Sequence, residues 1–164
     1  MFSLDVKNGC RYTGAMDKVT FYTDGGCSGN PGPGGWAFVG LDGSGRMIVS
    51  SSGGEEQTTN NRMELRAVIS ALEALKTLGV PGAVLYTDSQ YVKNGITVWI
   101  SNWKRNGWRN AQKQPVKNRE LWEELDCLAS ALKVDFVWVK GHAGIKYNEI
   151  CDSMVRAEME KFLR

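Results

Sequence analysis

The chain has 164 residues, of which 42% are hydrophobic and 23% are charged, and its formal net charge is +2. This length suits one domain whose hydrophobic core needs no disulfide support. No run of 18 apolar residues occurs, and no basic segment followed by an apolar one opens the chain, so we expect neither a membrane span nor a secretory signal. The cysteines, Cys10, Cys27, Cys127 and Cys151, form no C-x-x-C pair, which favours a reduced, cytoplasmic protein.

The predicted elements, taken in chain order, indicate an α/β protein. Residues 1–17 have a weak pattern and are interpreted as an N-terminal extension, before a single domain at 18–164. Hydrophobic periodicity and turn residues predict, in order, strands at 19–24, 35–41 and 46–51, a loop at 52–60, a helix at 61–78, a strand at 83–88, helices at 89–95, 97–108 and 119–132, a strand at 134–140 and a helix at 148–163. We therefore expect a five-stranded mixed sheet flanked by helices. The long helix would cross over between the first and fourth strands and make them parallel.

Two of the predicted strands end on the same tripeptide, Tyr-Thr-Asp, in FYTDGG (21–26) and LYTDSQ (85–90). If these strands are parallel, Asp24 and Asp88 emerge at the same carboxyl edge, where open α/β sheets build their sites. Two neighbouring carboxylates repel each other unless a cation or a proton lies between them. The alternative, in which each aspartate only forms a turn, stays open.

Two further acids belong to predicted helices. Glu64 lies on the apolar stripe of the helix at 61–78, where a buried charge needs a partner or a metal. Alternatively, Asn61 and Glu64 have the spacing of a capping box, so Glu64 could cap the helix. Asp152 borders the apolar face of the last helix, although an acid there also suits the helix dipole. His142, the only histidine, lies in a loop, where a histidine is more often an ordinary surface residue.

The residue types of this set indicate the chemistry. Four carboxylates without a histidine or cysteine cluster favour Mg²⁺, with Mn²⁺ as a possible substitute, over Zn²⁺. Residues 101–119 contain six cations and no acid, and three tryptophans lie in or beside this stretch. Such a stretch either contacts a phosphate backbone or is a solvated basic helix face whose tryptophans pack on the core. An acidic cage beside a basic patch is typical of metal-dependent phosphoryl transfer.

Five segments, in this order, resemble those of type 1 ribonuclease H: YTDGGCSGNPGPGGW, TTNNRMELRAVISALEAL, YTDSQYVKNGI, WISNWKRNGWRNAQKQPVKN and WVKGHAG…NE-CD. The resemblance runs from about residue 18 into the last helix. It implies a ribonuclease H-like fold and an endonuclease that hydrolyses the RNA strand of RNA–DNA hybrids. It also implies catalysis by two Mg²⁺ ions that leaves a 5′-phosphate and a 3′-hydroxyl.

The resemblance also implies roles for individual residues. Asp24, Glu64, Asp88 and Asp152 would bind metal, and His142 would assist proton transfer or product release. The glycines after Asp24 would let the backbone approach the nucleic acid closely. The implied substrate contacts are Cys27, Asn30, Asn61 and Gln90 at the minor groove, Thr59 with Asn30 at a phosphate of the DNA strand, and Trp99, Trp103, Lys104, Arg105 and Trp108 in a basic protrusion.

Parts of the chain have no counterpart in the resemblance. No hybrid-binding domain is recognisable in residues 1–17, and the sequence Ile145-Lys146-Tyr147 after His142 has no role that the resemblance assigns. We expect a monomer. Two rival hypotheses are a module that binds hybrids without cutting them and another nuclease on the same fold. The first would not need four acids. The second would not be expected to match the basic protrusion or the asparagine-rich stretch at 58–61. The substrate that is cut discriminates between them.

Overall fold

One mixed β-sheet with helices packed on it forms the framework, as the sequence predicts. The computed structural model describes residues 3–4, 18–140 and 146–163. The strands are β1 (Ser3–Leu4), β2 (Lys18–Cys27), β3 (Gly32–Leu41), β4 (Met47–Thr58), β5 (Gly82–Thr87) and β6 (Lys133–Trp138). The helices are α1 (Asn60–Leu78), α2 (Gln90–Asn94), α3 (Ile100–Arg105), α4 (Arg119–Ala131) and α5 (Lys146–Leu163), with a π-helical segment, Gly95–Trp99, between α2 and α3.

The strand order is β1-β4-β3-β2-β5-β6. Strands β2, β3 and β4 pair antiparallel, whereas β2, β5 and β6 pair parallel, which confirms the parallel relation expected for the two Tyr-Thr-Asp strands. The five long strands are the five predicted ones. The two residues of β1 add a short antiparallel strand beside β4 at the sheet edge.

The polar stretch after the third predicted strand is not a loop. Residues 52–60 were expected to be irregular, but β4 continues to Thr58 and pairs with β3 along this length. Its two glycines are there for close approach: a Cβ on Gly53 would lie 2.6 Å from the Trp36 indole, and one on Gly54 would lie 2.9 Å from the Gly34 carbonyl oxygen. Glycine therefore marks tight packing here and not a turn.

Two hydrophobic layers hold the helices on the sheet. Helix α1 buries an apolar stripe against one face, and the residues that form this larger core include Phe21, Phe38, Leu65, Ile69, Leu72 and Leu85. Helix α5 covers the other face with a smaller cluster built on Ala37, Val39, Cys151 and Val155. The α1 helix ends at Gly79, whose φ of 72° is the left-handed conformation that favours glycine. Within the described ranges, no helix has the length and apolar character needed to cross a membrane.

Candidate metal centre and nucleic-acid interface

Three acidic side chains from distant parts of the sequence converge beside the sheet. Asp24 lies in β2, Glu64 in α1 and Asp88 directly after β5, and each offers a carboxylate oxygen within 4.8 Å of the others. The parallel ladder of β2 and β5 ends at Tyr22 and Tyr86, so both aspartates lie just beyond its last pair. Asp24 and Glu64 are buried, with 7% and 9% of their surfaces exposed. We call this set the acidic cluster.

The structure excludes the simpler roles considered for two of these acids. Asp24 is not at a turn, because β2 runs on to Cys27 and Asp24 pairs with Ala37 of β3. Glu64 does not cap α1, because the N-cap is Thr59, whose hydroxyl oxygen accepts a bond from the Arg62 N–H at 3.3 Å. Glu64 is therefore a buried acid in the second turn of the helix, and helix capping does not explain its burial.

The electrostatics of the cluster favour a bound cation. Burial, and then the charges of Asp88 and Asp24, raise the pKa of Glu64 well above its ordinary value of 4.5, although a bond from the Gly25 backbone opposes them. Glu64 Oε2 is buried without a hydrogen-bond partner among the described residues. Burial, and then the charges of the same carboxylates, raise the pKa of the nearby Cys151 thiol to about 12. An oxygen-only donor set with excess negative charge fits a hard divalent cation.

Two of the glycines that follow Asp24 have a packing role that the sequence did not predict. A Cβ on Gly25 would lie 2.4 Å from the Glu64 backbone nitrogen, and one on Gly35 would lie 2.7 Å from the Val155 carbonyl oxygen. At these two positions α1 and α5 fill the space that a side chain would need. The lack of a side chain at Gly25 and Gly35 lets the two acid-bearing helices approach the sheet. The approach of nucleic acid to the other glycines of this stretch stays a prediction.

Asp152 lies beside the acidic cluster without belonging to it. It lines the same cavity of about 420 Å³, but it is not among the acids whose oxygens meet within 4.8 Å. Its Oδ2 lies 2.6 Å from Nη2 of Arg156, one turn further along α5. Arg156 was not predicted as a site residue, nor was Asn60, which lines this cavity between the predicted contacts Thr59 and Asn61. His142 lies in residues 141–145, outside the described residues.

The residues expected at the minor groove differ in what they contact. Asn61 and Gln90 are exposed at the beginnings of α1 and α2. Asn30 is also exposed, and its Oδ1 accepts a bond from the Asn60 N–H at 3.0 Å. The Cys27 thiol, which borders the cavity, donates to the carbonyl oxygens of Gly32 and Thr58 at 3.3 and 3.2 Å. Cys27 therefore ties the beginning of β3 to the end of β4.

The basic stretch partly buries its tryptophan rings and exposes its cations, and its contact with a phosphate backbone stays a prediction. The tryptophan rings pack inward, with Trp103 5.5 Å from the buried Trp122 and 5.8 and 6.0 Å from Trp99 and Trp108. The cations stay exposed: Lys104 bonds Asp126 at 2.9 Å, and Arg105 bonds the Ser101 carbonyl oxygen at 3.2 Å. A groove of about 620 Å³ opens here, lined by Trp99, Asn102, Trp103, Arg105, Asn106, Arg109, Asn110, Ala111 and Gln112. We call residues 99–119 the basic protrusion.

A polar network joins the protrusion to the helices beside the acidic cluster. The Tyr91 hydroxyl of α2 accepts bonds from Trp122 Nε1 at 3.0 Å and from Asn118 Nδ2 at 3.2 Å. Asn118 Oδ1 in turn accepts from Arg62 of α1 at 3.4 Å. Asn118 has a φ of 61°, and it precedes α4. These contacts join residues far apart in the sequence, and its local patterns give no signal for them.

Comparisons with known sequences identify relatives that match most of this chain. The family model described as RNase H matches residues 16–160. A ribonuclease H of Brucella ovis is 56% identical over 149 residues, covering 90% of this chain and 93% of the relative. A ribonuclease H of Treponema denticola is 48% identical over 159 residues, covering 89% of this chain and 99% of the relative.

Solved structures give the same picture. LC9-RNase H1, described as a type 1 RNase H with the type 2 active-site motif, superposes with a TM-score of 0.79 at 32% identity, over 89% of this chain and 74% of that one. LC11-RNase H1, solved in complex with an RNA/DNA hybrid, superposes with a TM-score of 0.69 at 26% identity, over 89% of this chain and 99% of that one. The chain therefore belongs to the ribonuclease H family of metal-dependent endoribonucleases, which hydrolyse the RNA strand of RNA–DNA hybrids.

Proposed function

We propose that this chain cuts the RNA strand of RNA–DNA hybrids at the acidic cluster, with Mg²⁺ as its ion. The single observation that carries this proposal is the convergence of Asp24, Glu64 and Asp88 within 4.8 Å in a buried site. Asp152, which lines the same cavity, would be the fourth ligand. Divalent ions held there would supply an activated water molecule and neutralise charge on the phosphate and on the leaving 3′-oxygen.

The protein's own part is to fix the acids and orient the substrate. The acids lie on a strand, a helix and a strand end that the core holds together, so their separation does not depend on a surface loop. Exposed amides at Asn30, Asn61 and Gln90 can both donate to and accept from a 2′-hydroxyl or a base edge. The 2′-hydroxyl distinguishes RNA from DNA, so these side chains would select the strand that is cut.

The basic protrusion would supply much of the binding affinity for the hybrid. Lys104 and Arg105 are exposed, and phosphate contacts through such cations supply affinity that does not depend on sequence. Thr59 and Asn30, whose side chains each accept a bond from a backbone N–H at the N-terminus of α1, would hold a phosphate of the DNA strand, because a helix N-terminus favours anions. His142 would assist proton transfer or product release, as the family resemblance implies.

Other parts of the proposal concern the whole protein. Residues 1–17 would be an extension and residues 18–164 the catalytic domain, and the match to the family begins at residue 16. A monomer located in the cytoplasm remains our prediction from the sequence. Manganese would substitute for magnesium, since both prefer oxygen ligands.

The test uses end-labelled RNA–DNA hybrid beside duplex DNA and duplex RNA, each with Mg²⁺ and with EDTA. We expect cleavage of the RNA strand of the hybrid alone, with loss of cleavage in EDTA. Products should carry a 5′-phosphate and a 3′-hydroxyl, which ligation assays detect directly. A hybrid that is bound and left intact in Mg²⁺ would favour the binding-module hypothesis instead.

A further inference from the structure

Three tyrosine rings lie in a row on the sheet face that α5 covers. The rings of Tyr22 and Tyr86 are 5.1 Å apart between centroids and nearly parallel, with an interplanar angle of 18°. The ring of Tyr147 continues the row, 5.4 Å from Tyr22 at an angle of 33°. We call these residues the tyrosine ladder. Aromatic pairs at such centroid distances stabilise a contact beyond the area they bury.

Two members of the ladder belong to the strands that deliver the aspartates. Tyr22 and Tyr86 are directly paired in the parallel register of β2 and β5, and each lies two residues before an acid of the cluster. Because side chains alternate along a strand, Tyr22 and Asp24 point to the same face of β2. The intervening Thr23 ties the strands together, since its hydroxyl donates to the Tyr86 carbonyl oxygen at 3.2 Å.

The third member belongs to the helix that delivers Asp152. Tyr147 lies in the first turn of α5, and its hydroxyl donates to the Gly45 carbonyl oxygen at 3.4 Å. Cys151 of the same helix donates its thiol to the Tyr22 carbonyl oxygen, also at 3.4 Å. Tyr22 therefore contacts the N-terminal half of α5 twice. Its ring packs against Tyr147, and its carbonyl oxygen accepts from Cys151, one helical turn further along.

We propose that the tyrosine ladder is a positioning device for the metal centre. It sets where the first turns of α5 lie on the sheet, and thereby how far Asp152 stands from the acidic cluster. This inference rests on the proposed function, in which Asp152 completes the metal ligands. Asp152 lines the cavity but lies outside the cluster, with Arg156 beside it, so its approach to the cluster depends on the position of α5.

This role accounts for a sequence feature that the family resemblance left unassigned. Tyr147 closes the Ile145-Lys146-Tyr147 sequence, and its ring packs in the smaller hydrophobic cluster under α5. Tyr147 does not touch the reacting atoms in this account. It acts through α5 on Asp152, so it is a positioning residue.

The test compares Tyr147→Leu with two matched variants. Mg²⁺ binding to the free protein is measured by calorimetry, and kcat and KM are measured on the hybrid as a function of Mg²⁺. For Tyr147→Leu we expect Mg²⁺ binding weaker by roughly tenfold, at the lower end of the effect of groups that orient metal ligands. The fall in kcat should be largest at low Mg²⁺, whereas KM for the hybrid should not change because the basic protrusion is untouched.

The matched variants separate positioning from general loss of packing. Tyr147→Phe should behave as the wild type, because it keeps the ring and loses only a long hydrogen bond. Phe162→Leu removes an aromatic ring from the other end of the same helix, 38% exposed, and should leave Mg²⁺ binding unchanged. Wild-type Mg²⁺ affinity in Tyr147→Leu, or an equal loss in Phe162→Leu, would overturn the proposal.

Two further measurements cover a variant that does not fold and a wild type that is inactive. If Tyr147→Leu does not fold, Tyr86→Leu removes the opposite end of the ladder and should weaken Mg²⁺ binding by about twofold, and an unchanged affinity would contradict the ladder. If the wild type neither binds Mg²⁺ nor cuts the hybrid, the proposed function and the ladder both fail. If the wild type does both and Tyr147→Leu matches it, the function stands and the ladder alone is wrong.

Discussion

The acidic cluster and the basic protrusion are built on opposite principles. The cluster is a small set of carboxylates held by a strand, a helix and a strand end, with two of its acids less than a tenth exposed. The protrusion places its tryptophans inward and leaves its cations in solvent. Charges buried together are costly and geometrically fixed, whereas exposed charges are cheap and adaptable. Catalysis should therefore depend on single atoms of the cluster. The affinity for the hybrid should depend on the summed charge of the protrusion.

The largest effect should come from neutralising one acid of the cluster. We expect Asp24→Asn to lower kcat by at least about a thousandfold, because it removes a metal ligand and leaves the shape of the site unchanged. Hybrid binding, measured by fluorescence anisotropy in EDTA, should stay near that of the wild type. Asp135→Asn is the matched control, since this aspartate is exposed on β6, and it should retain full activity. Normal turnover by Asp24→Asn would remove the cluster from the mechanism.

The next effect should come from adding one methyl group beneath Glu64. Gly25→Ala places a Cβ 2.4 Å from the Glu64 backbone nitrogen, so α1 must move. We expect a loss of about 1–3 kcal/mol in the free energy of unfolding and roughly a tenfold or greater fall in kcat. Gly43→Ala is the control, because its Cβ would meet nothing within 4 Å. Urea denaturation and steady-state kinetics on both variants decide whether the close approach of α1 matters.

Removing two cations of the protrusion should have a smaller effect of a different kind. We expect Lys104→Ala with Arg105→Ala to weaken hybrid binding by roughly tenfold near physiological salt, with kcat at saturation little changed. The slope of log K against log salt should fall by about two, since each lost phosphate contact contributes about 0.9. Lys18→Ala, at the beginning of β2, serves as the control. An unchanged salt slope in the double variant would place the grip elsewhere.

The smallest effect should be a gain in stability. The pKa of Glu64 is raised in the folded protein. Between pH 4.5 and the raised pKa, Glu64 is therefore ionised in the unfolded chain and protonated in the folded protein. Stability of the metal-free protein therefore falls as pH rises from about 4.5 through the raised pKa. Glu64→Gln removes this penalty, and we expect it to gain about 0.5–2 kcal/mol at neutral pH in EDTA. Below pH 4.5 the gain should vanish.

Magnesium supplies the counterpart to that experiment. In wild type, saturating Mg²⁺ should raise the melting temperature, because the ion binds the folded state alone. In Glu64→Gln this increase should be much smaller. A Glu64→Gln protein that is no more stable than wild type in EDTA would show that Glu64 carries no burial penalty.

Most of the framework could be predicted from local patterns in the sequence. Helix α1 was expected at 61–78 and is observed at Asn60–Leu78, because its apolar stripe is regular and Gly79 ends it. The parallel pairing of β2 and β5 followed from a crossover rule and two matching strands. The extension of β4 could not be predicted, because Gly53 and Gly54 resemble a loop until Trp36 and Gly34 are placed against them.

The site could be predicted as a set of acids but not as a geometry. Matching Tyr-Thr-Asp strand ends predicted that Asp24 and Asp88 would lie together. The sequence could not show that Asp152 would stand outside the cluster with Arg156 beside it, nor that the ring of Tyr147 would pack against Tyr22. These features depend on where α5 lies on the sheet, which is set by long-range packing.

The position of the bound metal decides whether the acidic cluster is the metal centre. A crystal of the protein soaked in Mn²⁺ should be measured near the manganese absorption edge, and an anomalous difference map calculated. We expect a strong peak among the carboxylates of Asp24, Glu64 and Asp88, which is absent in Asp24→Asn. A map with no peak there in wild type, or with manganese bound only at other carboxylates, would contradict this assignment.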